Sequence, residues 1–572
     1  MRILVSLSFA LTAGFIAASP VLAQTSPAAG ADPTTQTAPT SAAEPTFSAR
    51  IARRAGELGI RGSEREDLAA LLAYYGSNPE KPLWIENGAF SARARAAIAE
   101  IGRADDWGLS AADFALPSNA AGNGPDALAE AEARLTLAVL KYARHARGGR
   151  FDPTRLSDAL DRTPNLIEPA KLLQEIATAP EADTYLRKLH PQHPQFERLR
   201  QLLLAVRAGK IEAPPPPVAE EAEQPAKGRK GKKSAKATKP ATPPPLTAER
   251  VLVNMEQWRW MPDDLGKLHA VVNIPEFTLR VVKESAVIHT ERVVVGTPSN
   301  PTPIFSKEMR TVVFQPGWGV PSGIKVKELL PRLLAGGDPI TGRGLVVRYR
   351  GREADPSSID WRAVDIRKVS IVQPPGPSNA LGMVKFLFPN KHDVYMHDTP
   401  SKSLFNAEMR AFSHGCVRVR NPMRFAEIVF AETGGWSPSR VASLARGKPE
   451  NEVAVPAPLS VHMTYFTVTV DDAGKAHTYR DIYGHEPRIR AGFEGRIDKV
   501  ARKSEDLGQL RASMVSRAPR VARSERSQHS ERRAATEALT PRQRPASRSR
   551  TASSGAGRSS SGGGGFNIFS GF

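Results

Sequence analysis

The sequence contains a single cysteine, Cys416, within the run Ser413-His414-Gly415-Cys416-Val417-Arg418, and His397 lies 19 positions upstream of it. This thiol has no disulfide partner in the chain. The thiolate is the reactive form of cysteine, and a nearby imidazole can generate it by accepting the proton. The alternative is a small buried apolar side chain, which is the usual state of a free cysteine. The flanking Gly and His favour a nucleophile.

Acyl transfer by a cysteine needs a thiol, a base, a group that orients the base, and donors for the oxyanion. His397 is the best candidate base, and the Asp398 carbonyl or side chain is placed to hold its tautomer. The Gly415 and Cys416 amides are candidate oxyanion donors. The residues thus predict a cysteine acyl transferase or hydrolase without a cofactor. We expect no metal site, because the histidines lack zinc-ligand spacing and there is no second cysteine.

The N-terminus predicts export. Residues 1–23 combine a short basic start, an apolar segment and small residues at Val21-Leu22-Ala23, as in a secretory signal peptide. An uncleaved membrane anchor is the alternative, but it needs about 20 apolar residues and this run is broken at Pro20. No other stretch is apolar and long enough to span a bilayer. The mature chain is therefore predicted to work in the periplasm, with residues 24–45 as a flexible linker.

The charge is strongly basic and unevenly distributed. The net charge is +20, and residues 488–572 carry 18 Lys and Arg against 7 Asp and Glu. An exported protein meets little nucleic acid, so an anionic envelope surface is the more plausible partner for this basic low-complexity tail. The commonest explanation of such a charge surplus is a disordered, solvated segment that keeps the protein soluble.

Periodicity divides the rest into two domains. Apolar residues recur at helical spacing over 46–212, which predicts an all-α domain. A Pro- and Lys-rich linker follows at 213–246, from which we expect freedom of motion between the domains. From 247 to 487 the period is two and turn residues separate the runs, which predicts a mainly β domain. The fold class is thus α+β, multidomain, with a disordered linker and tail. The Cys416 loop falls between a strand with His397 and a helix starting near Pro422, so we expect the thiol near the positive end of that helix.

Several motifs in the β region resemble the L,D-transpeptidase catalytic domain of the YkuD type. Two of them are Tyr395-Met-His-Asp-Thr-Pro400 and Ser413-His-Gly-Cys-Val-Arg418. The strings at 373–390 (QPPGPSNALGMVKFLFPN), 254–262 (NMEQWRWMP), 273–277, 302–305 and 481–484 point to its large periplasmic branch, in which a helical scaffold domain precedes the catalytic domain.

The resemblance implies a role for each matching residue. Cys416 is expected to be the nucleophile and His397 the general acid/base, on a β-sandwich. Tyr395, Gly415 and Cys416 are expected to hold the oxyanion. The site around the acyl-enzyme is expected to be shaped by His414 and Arg418. An insertion at about 323–390 is expected to cap the substrate, with Asn379 and Gly382 near the stem peptide. Larger members of the branch also carry a peptidoglycan-binding module where this chain has its Pro/Lys linker.

The implied function is a peptidoglycan L,D-transpeptidase that acts on stem peptides, releases D-Ala and forms 3→3 cross-links through a cysteine thioester. Three alternatives stay open within or beside the family: an L,D-carboxypeptidase, attachment of an envelope protein to peptidoglycan, and a non-enzymatic wall-binding scaffold. A papain-like peptidase is disfavoured, because its cysteine normally precedes its histidine in the chain.

Overall fold

The computed structural model describes residues 44–211 (except 61, 63, 80 and 119–123), 244–500 and 505–518. The predicted signal peptide lies outside these residues. So do most of the 24–45 and 213–246 linkers and the tail from 519 onward.

The N-terminal part is helical, as its periodicity predicts. Its long central helix carries buried residues on most of its circumference, which is expected of a helix surrounded by others. Proline at the first turn opens three of these helices, where its missing N–H is no loss. Strands β1 (Ile85–Glu86) and β2 (Ala89–Phe90) form a small hairpin between helices. The helices are α1 (Phe47–Glu57), α2 (Glu64–Ser77), α3 (Ala92–Gly102), α4 (Pro125–Gly148), α5 (Pro169–Thr178), α6 (Ala182–Lys188) and α7 (Pro194–Arg207).

The C-terminal part is built on a nine-stranded sheet that closes on itself. Its strand order is β13-β5-β14-β12-β11-β6-β15-β3-β4, and β4 also pairs with β5. The strands are β3 (Leu268–Asn273), β4 (Thr278–Lys283), β5 (Ala286–Gly296), β6 (Phe305–Phe314), β11 (Val384–Leu387), β12 (Met396–His397), β13 (Ala411–Ser413), β14 (Val417–Val419) and β15 (Asn451–Thr464). Helices α8 (Ala248–Arg259), α11 (Pro422–Gly434) and α12 (Pro438–Ala445) accompany it, and β16 (Val468–Val470) pairs with β17 (Ala476–Thr478).

The two faces of this sheet differ in chemistry because successive side chains point to opposite sides. One face forms the main hydrophobic core, with Phe386, Met396 and Val417 as neighbours on three adjacent strands. The residues that follow or precede these on the other face include Lys385, His397 and Arg418, which are paired across the same three strands. The core therefore fixes the register of the strands, and the register fixes which polar side chains share the other face.

A separate subdomain occupies the predicted cap. It contains a four-stranded sheet of β7 (Trp318–Gly319), β10 (Ser370–Gln373), β8 (Val346–Tyr349) and β9 (Arg352–Ala354). A helical segment precedes β8 and consists of α9 (Ser322–Ile324), a π-helical turn (Lys325–Leu329) and α10 (Leu330–Leu334). The cap has its own hydrophobic core, and Tyr395 of the nine-stranded part packs against it. The cap therefore lies over the polar face of the large sheet.

The expected freedom between the two domains is wrong. Helices α7 and α8, which flank the Pro/Lys linker, share one hydrophobic core with β16. Leu156 and Leu160 of the helical part are buried in the core of the C-terminal part. The linker composition describes only the linker, whereas the apolar surfaces on either side of it are buried against each other.

The first residues of the predicted low-complexity tail are helical, whereas the prediction was a disordered segment. Helices α13 (His485–Phe493), α14 (Ile497–Val500) and α15 (Leu507–Arg517) lie at or beyond the predicted boundary at 488. Helix α15 packs Leu507, Leu510 and Met514 on the cap core. Its apolar residues are few and lie in a strongly basic stretch, whose composition alone predicts disorder.

Within the described part of the chain, no helix is both long enough and apolar enough to cross a membrane.

Candidate active site

The register of three neighbouring strands brings the predicted catalytic residues together. Strand β12 pairs in parallel with β14, with His397 opposite Arg418, and pairs antiparallel with β11, with His397 opposite Lys385. Because side chains alternate, Cys416 shares the face of Arg418, and Tyr395 shares the face of His397. Cys416 and His397 are then diagonal neighbours, and diagonal residues of adjacent strands lie about 7–8 Å apart at Cα. The cysteine and the imidazole therefore face the same space under the cap.

The His397 ring is held in one tautomer. Its Nδ1 is hydrogen-bonded to the carbonyl oxygen of Asp398. A carbonyl only accepts, so Nδ1 carries the hydrogen and Nε2 has a free lone pair. The Asp398 side chain is used elsewhere: it accepts from the Thr399 amide (2.6 Å), the Met383 amide (2.9 Å) and the Lys402 ammonium. Of the two predicted orienting groups, the backbone carbonyl is the one in contact with the imidazole.

The loop before Cys416 is fixed by a hydroxyl on each side. The Ser413 hydroxyl donates to the Cys416 carbonyl (2.5 Å) and accepts from the Gly415 amide (3.2 Å). The Thr302 hydroxyl donates to the Gly415 carbonyl at 2.7 Å. Gly415 has φ +115°, a conformation that side chains disfavour. In this conformation the Gly415 amide donates to Ser413, and its role as an oxyanion donor stays a prediction.

The expected proximity of Cys416 to the positive end of a helix is also wrong. Strand β14 separates Cys416 from the start of α11 at Pro422. Three extended residues span about 10 Å, beyond the first turn over which a helix dipole acts. The thiol therefore sits at a strand end.

Tyr395 provides polar contacts of the Cys416 sulfur, in addition to the Asp393 carbonyl. Its backbone N–H and its hydroxyl both form hydrogen bonds with the Cys416 thiol. Burial nevertheless raises the pKa of this thiol to about 11, because the hydrogen bonds from Tyr395 offset only part of the desolvation. Burial, assisted by the positive charge of Arg418, lowers the pKa of His397 to about 3. At neutral pH the pair is therefore a neutral thiol beside a neutral imidazole.

Two cations flank this neutral pair. The Lys385 ammonium lies 4.6 Å from the centre of the Tyr395 ring. Arg418 is 4% exposed, and its Nε has no hydrogen-bond partner among the residues that the structure describes. A buried guanidinium with an unused donor favours a carboxylate as its ligand, because Arg and carboxylate match in charge and geometry. The charge of both groups also favours a thiolate or oxyanion over the neutral form.

Two further predicted site residues, His414 and Asn379, form contacts with or within the cap. His414 contacts the carboxylate of Glu328 in the cap through Nε2. Asn379 is fully buried and its amide is used within its own loop: Nδ2 donates to Gln373 and Pro374 carbonyls, and Oδ1 accepts from the Leu381 amide. The expectation that Asn379 lies near the stem peptide stays a prediction, and its side chain stabilises the loop in this conformation.

Gly382 acts on His397 indirectly, because it lies against the side chain of Asp398, whose carbonyl is hydrogen-bonded to the His397 ring. It has φ +59°, and a Cβ there would lie 2.4 Å from an oxygen of the Asp398 carboxylate. Only glycine permits the backbone to approach this carboxylate so closely.

Sequence reasoning missed Lys385, Glu328 and Asp393. The Cys416 sulfur lies 3.9 Å from the Asp393 carbonyl. The position of Lys385 could have been predicted, because it alternates with the apolar Val384 and Phe386 in a strand beside His397. No local sequence pattern indicates Glu328 or Asp393, because each reaches the site only through a long-range contact.

Comparison with known proteins gives a family match for each of the two parts of the chain. Residues 69–203 match the Scaffold domain family, and residues 267–430 match the L,D-transpeptidase catalytic domain family, YkuD. A Haemophilus influenzae protein provisionally named an L,D-transpeptidase is 31% identical over 242 residues, which are 42% of this chain and 49% of that protein. The chain thus spans about half the length of this relative.

Solved structures of L,D-transpeptidases are also similar, at low identity. One from Mycobacterium smegmatis is 14% identical, with a TM-score of 0.17, over 35% of this chain and 58% of that chain. L,D-transpeptidase 1 of Mycobacterium tuberculosis is 18% identical, with a TM-score of 0.15, over 34% and 62% respectively. The two family matches coincide with the helical part and the sheet that carries Cys416 and His397. The chain therefore contains a Scaffold domain followed by an L,D-transpeptidase catalytic domain of the YkuD type.

Proposed function

We propose that this protein is an exported peptidoglycan L,D-transpeptidase that forms 3→3 cross-links, with Cys416 as nucleophile and His397 as general acid/base. The observation that carries the proposal is the placement of these two side chains on one face of adjacent strands, with Nε2 of His397 free to accept a proton. The family match at residues 267–430 supports the same reaction.

The reaction starts from the neutral pair. As the Cys416 sulfur attacks the carbonyl of the third stem residue, its proton passes to Nε2 of His397, because neither group is charged beforehand. The C–S bond forms, the bond to D-Ala breaks, and the imidazolium returns the proton to the departing amine. A side-chain amine of a second stem then attacks the thioester, and its proton returns through His397 to the sulfur.

Two further groups fit this scheme. The Tyr395 hydroxyl, which contacts the sulfur, is placed to donate to an oxyanion that forms there. Arg418 is a candidate partner for a stem-peptide carboxylate, since its buried Nε lacks a partner among the described residues. Binding such a carboxylate would hold the donor peptide beside Cys416.

Mass spectrometry of the protein with a tetrapeptide-stem muropeptide tests the proposal. We expect loss of D-Ala, a covalent adduct on Cys416 and dimeric products, with Cys416→Ala as the matched control that forms none of them. Monomeric tripeptide products without dimers would instead identify an L,D-carboxypeptidase. A wild-type protein that binds isolated wall and forms no adduct would support the non-enzymatic scaffold and overturn the proposal.

Export and the partner of the basic tail belong to the same proposal. The predicted signal peptide and the tail beyond 518 are outside the described residues, so both rest on sequence. Detection of the mature N-terminus after residue 23 in a periplasmic fraction would support export.

A further inference from the structure

A short segment of the scaffold domain, residues 157–162, contacts the catalytic domain. Leu160 is fully buried in the core of the catalytic domain and forms a parallel bridge with Ile304. The Ile304 amide donates to the Ala159 carbonyl at 2.8 Å. This segment is therefore attached by both apolar packing and backbone hydrogen bonding.

One line of contacts leads from this segment to the residue before the nucleophile. Ile304 lies two residues after Thr302, whose hydroxyl donates to the Gly415 carbonyl at 2.7 Å and accepts from the Gly296 amide at 2.9 Å. A shift of the scaffold segment would move Ile304, and Thr302 would transmit that shift to Gly415.

A second line of contacts leads to the other side of the thiol. The Asp161 carboxylate binds the Lys391 ammonium at 2.6 Å and Nε2 of His392 at 3.0 Å. His392 also stacks on Phe305, with ring centres 5.9 Å apart. The next residue is Asp393, whose carbonyl is 3.9 Å from the Cys416 sulfur.

The backbone at Asp393 needs such support. Its φ is +54°, in the left-handed region that residues other than glycine adopt less readily. Oδ1 of Asn390 accepts from the amides of His392 (3.0 Å) and Val394 (3.2 Å) and so closes the turn from within. Asp161 is the contact by which the scaffold domain holds this turn, in addition to the stacking of His392 on Phe305.

The contact of Asp161 with His392 is partly buried and joins a carboxylate to two hydrogen-bond donors. Its carboxylate and the His392 ring are 17% and 18% exposed, so the contact is partly shielded from water and salt. Burial opposes ionisation of Asp161, but the hydrogen bonds from Lys391 and His392 outweigh it and lower the pKa of the carboxyl. The contact joins residues 231 positions apart.

We propose that Asp161 of the scaffold domain is a positioning residue of the active site, which acts through His392 and the Asp393 turn on Cys416. The scaffold domain is then part of the catalytic machinery rather than a spacer. The inference concerns the placement of the thiol, and it rests on the proposed function only for its effect on turnover.

The variant Asp161→Asn tests the inference in the full-length protein, with Asp161→Glu as the charge-conserving variant. Glu130→Gln is the matched control, because it removes an exposed pair with Arg134 on α4 of the same domain. The readouts are the alkylation rate of Cys416 by iodoacetamide, kcat and KM for D-Ala release, and Tm.

For Asp161→Asn we expect a kcat about tenfold lower with KM within about twofold, since small displacements of a reacting group cost rate more than binding. The alkylation rate of Cys416 should change at least about threefold. Asp161→Glu should restore part of the wild-type kcat and part of the wild-type alkylation rate, and Glu130→Gln should match the wild type in both. If Asp161→Asn fails to fold, His392→Gln gives the same comparison from the other partner.

Wild-type alkylation and kcat in both Asp161→Asn and His392→Gln would overturn the inference and leave the proposed function intact. The opposite result is also distinguishable. If the wild type releases no D-Ala while Asp161→Asn still changes the alkylation rate, the proposed function fails and the positioning role stands.

Discussion

Raising the pH should accelerate alkylation of Cys416 by about tenfold per unit, without a plateau below about pH 10, because only the thiolate reacts. Burial raises the pKa of this thiol to about 11 from an ordinary value of 9.0. The thiolate fraction at pH 7 is then about 1 in 10,000 instead of about 1 in 100. Cys416 should therefore react with iodoacetamide about a hundredfold more slowly than a cysteine in an unstructured peptide at that pH.

The imidazole should leave no inflection in this profile. Because burial lowers the pKa of His397 to about 3, the ring is neutral throughout the range from pH 5 to 10. His397→Ala should abolish D-Ala release and still give an alkylation rate that rises steadily with pH. The two assays together separate the acidity of the resting thiol from the role of the base during turnover.

The measurement is simple because the chain has one cysteine. Intact-mass spectrometry after timed exposure to iodoacetamide gives one adduct and one rate at each pH, with a cysteine-containing peptide in the same tube as reference. A plateau beginning near pH 6, with a neutral-pH rate above that of the peptide, would refute the reasoning. It would show that Cys416 and His397 form a thiolate–imidazolium pair before substrate binds.

Three further predictions concern the supports of the site. Gly382→Ala should lower activity at least about tenfold and stability by about 1–2 kcal/mol. The new Cβ would displace the Asp398 carboxylate, and alanine would also have to adopt the positive φ of Gly382; rates of D-Ala release and thermal unfolding check this. A chain ending at 504 should be cleaved by protease within the cap faster than one ending at 518, because only the latter keeps α15 on the cap core; equal cleavage would contradict the contact. Acidification should destabilise the fold: burial lowers the pKa of His462 to about 4, so the unfolded chain binds more protons, and stability is lost as the pH falls from about 6.5 to about 4. This one histidine should contribute about 3 kcal/mol of that loss by pH 4, and His462→Gln should flatten the fall in a denaturant series.

Much of the site could be predicted from local sequence. Residue types and motif spacing identified Cys416 and His397, and the alternation of apolar and polar residues around them was sufficient to predict strands. Alternation also predicts that Cys416 and Arg418 share a face, because that relation needs only two residues of one strand.

Two features of the fold could not be predicted, for one physical reason. The side chain of Asn379 forms three hydrogen bonds within its own loop, and no local sequence pattern shows which partners a buried amide will have. Likewise, the composition of the Pro/Lys linker predicted domain freedom, whereas α7 and α8 bury their apolar faces against each other. In both cases the groups that contact each other are brought together only by the tertiary structure.

The sequence by itself determined the chemistry available to this protein: one thiol, a histidine 19 positions before it, and two domains of different periodicity. The tertiary structure decided which strands are neighbours, and so placed His397 between Lys385 and Arg418 under a cap. It also decided the protonation states, because desolvation depends on everything packed around a group rather than on its own residue type. For the same reason only the fold could place Asp161 beside His392, since a contact across 231 residues leaves no trace in either local pattern.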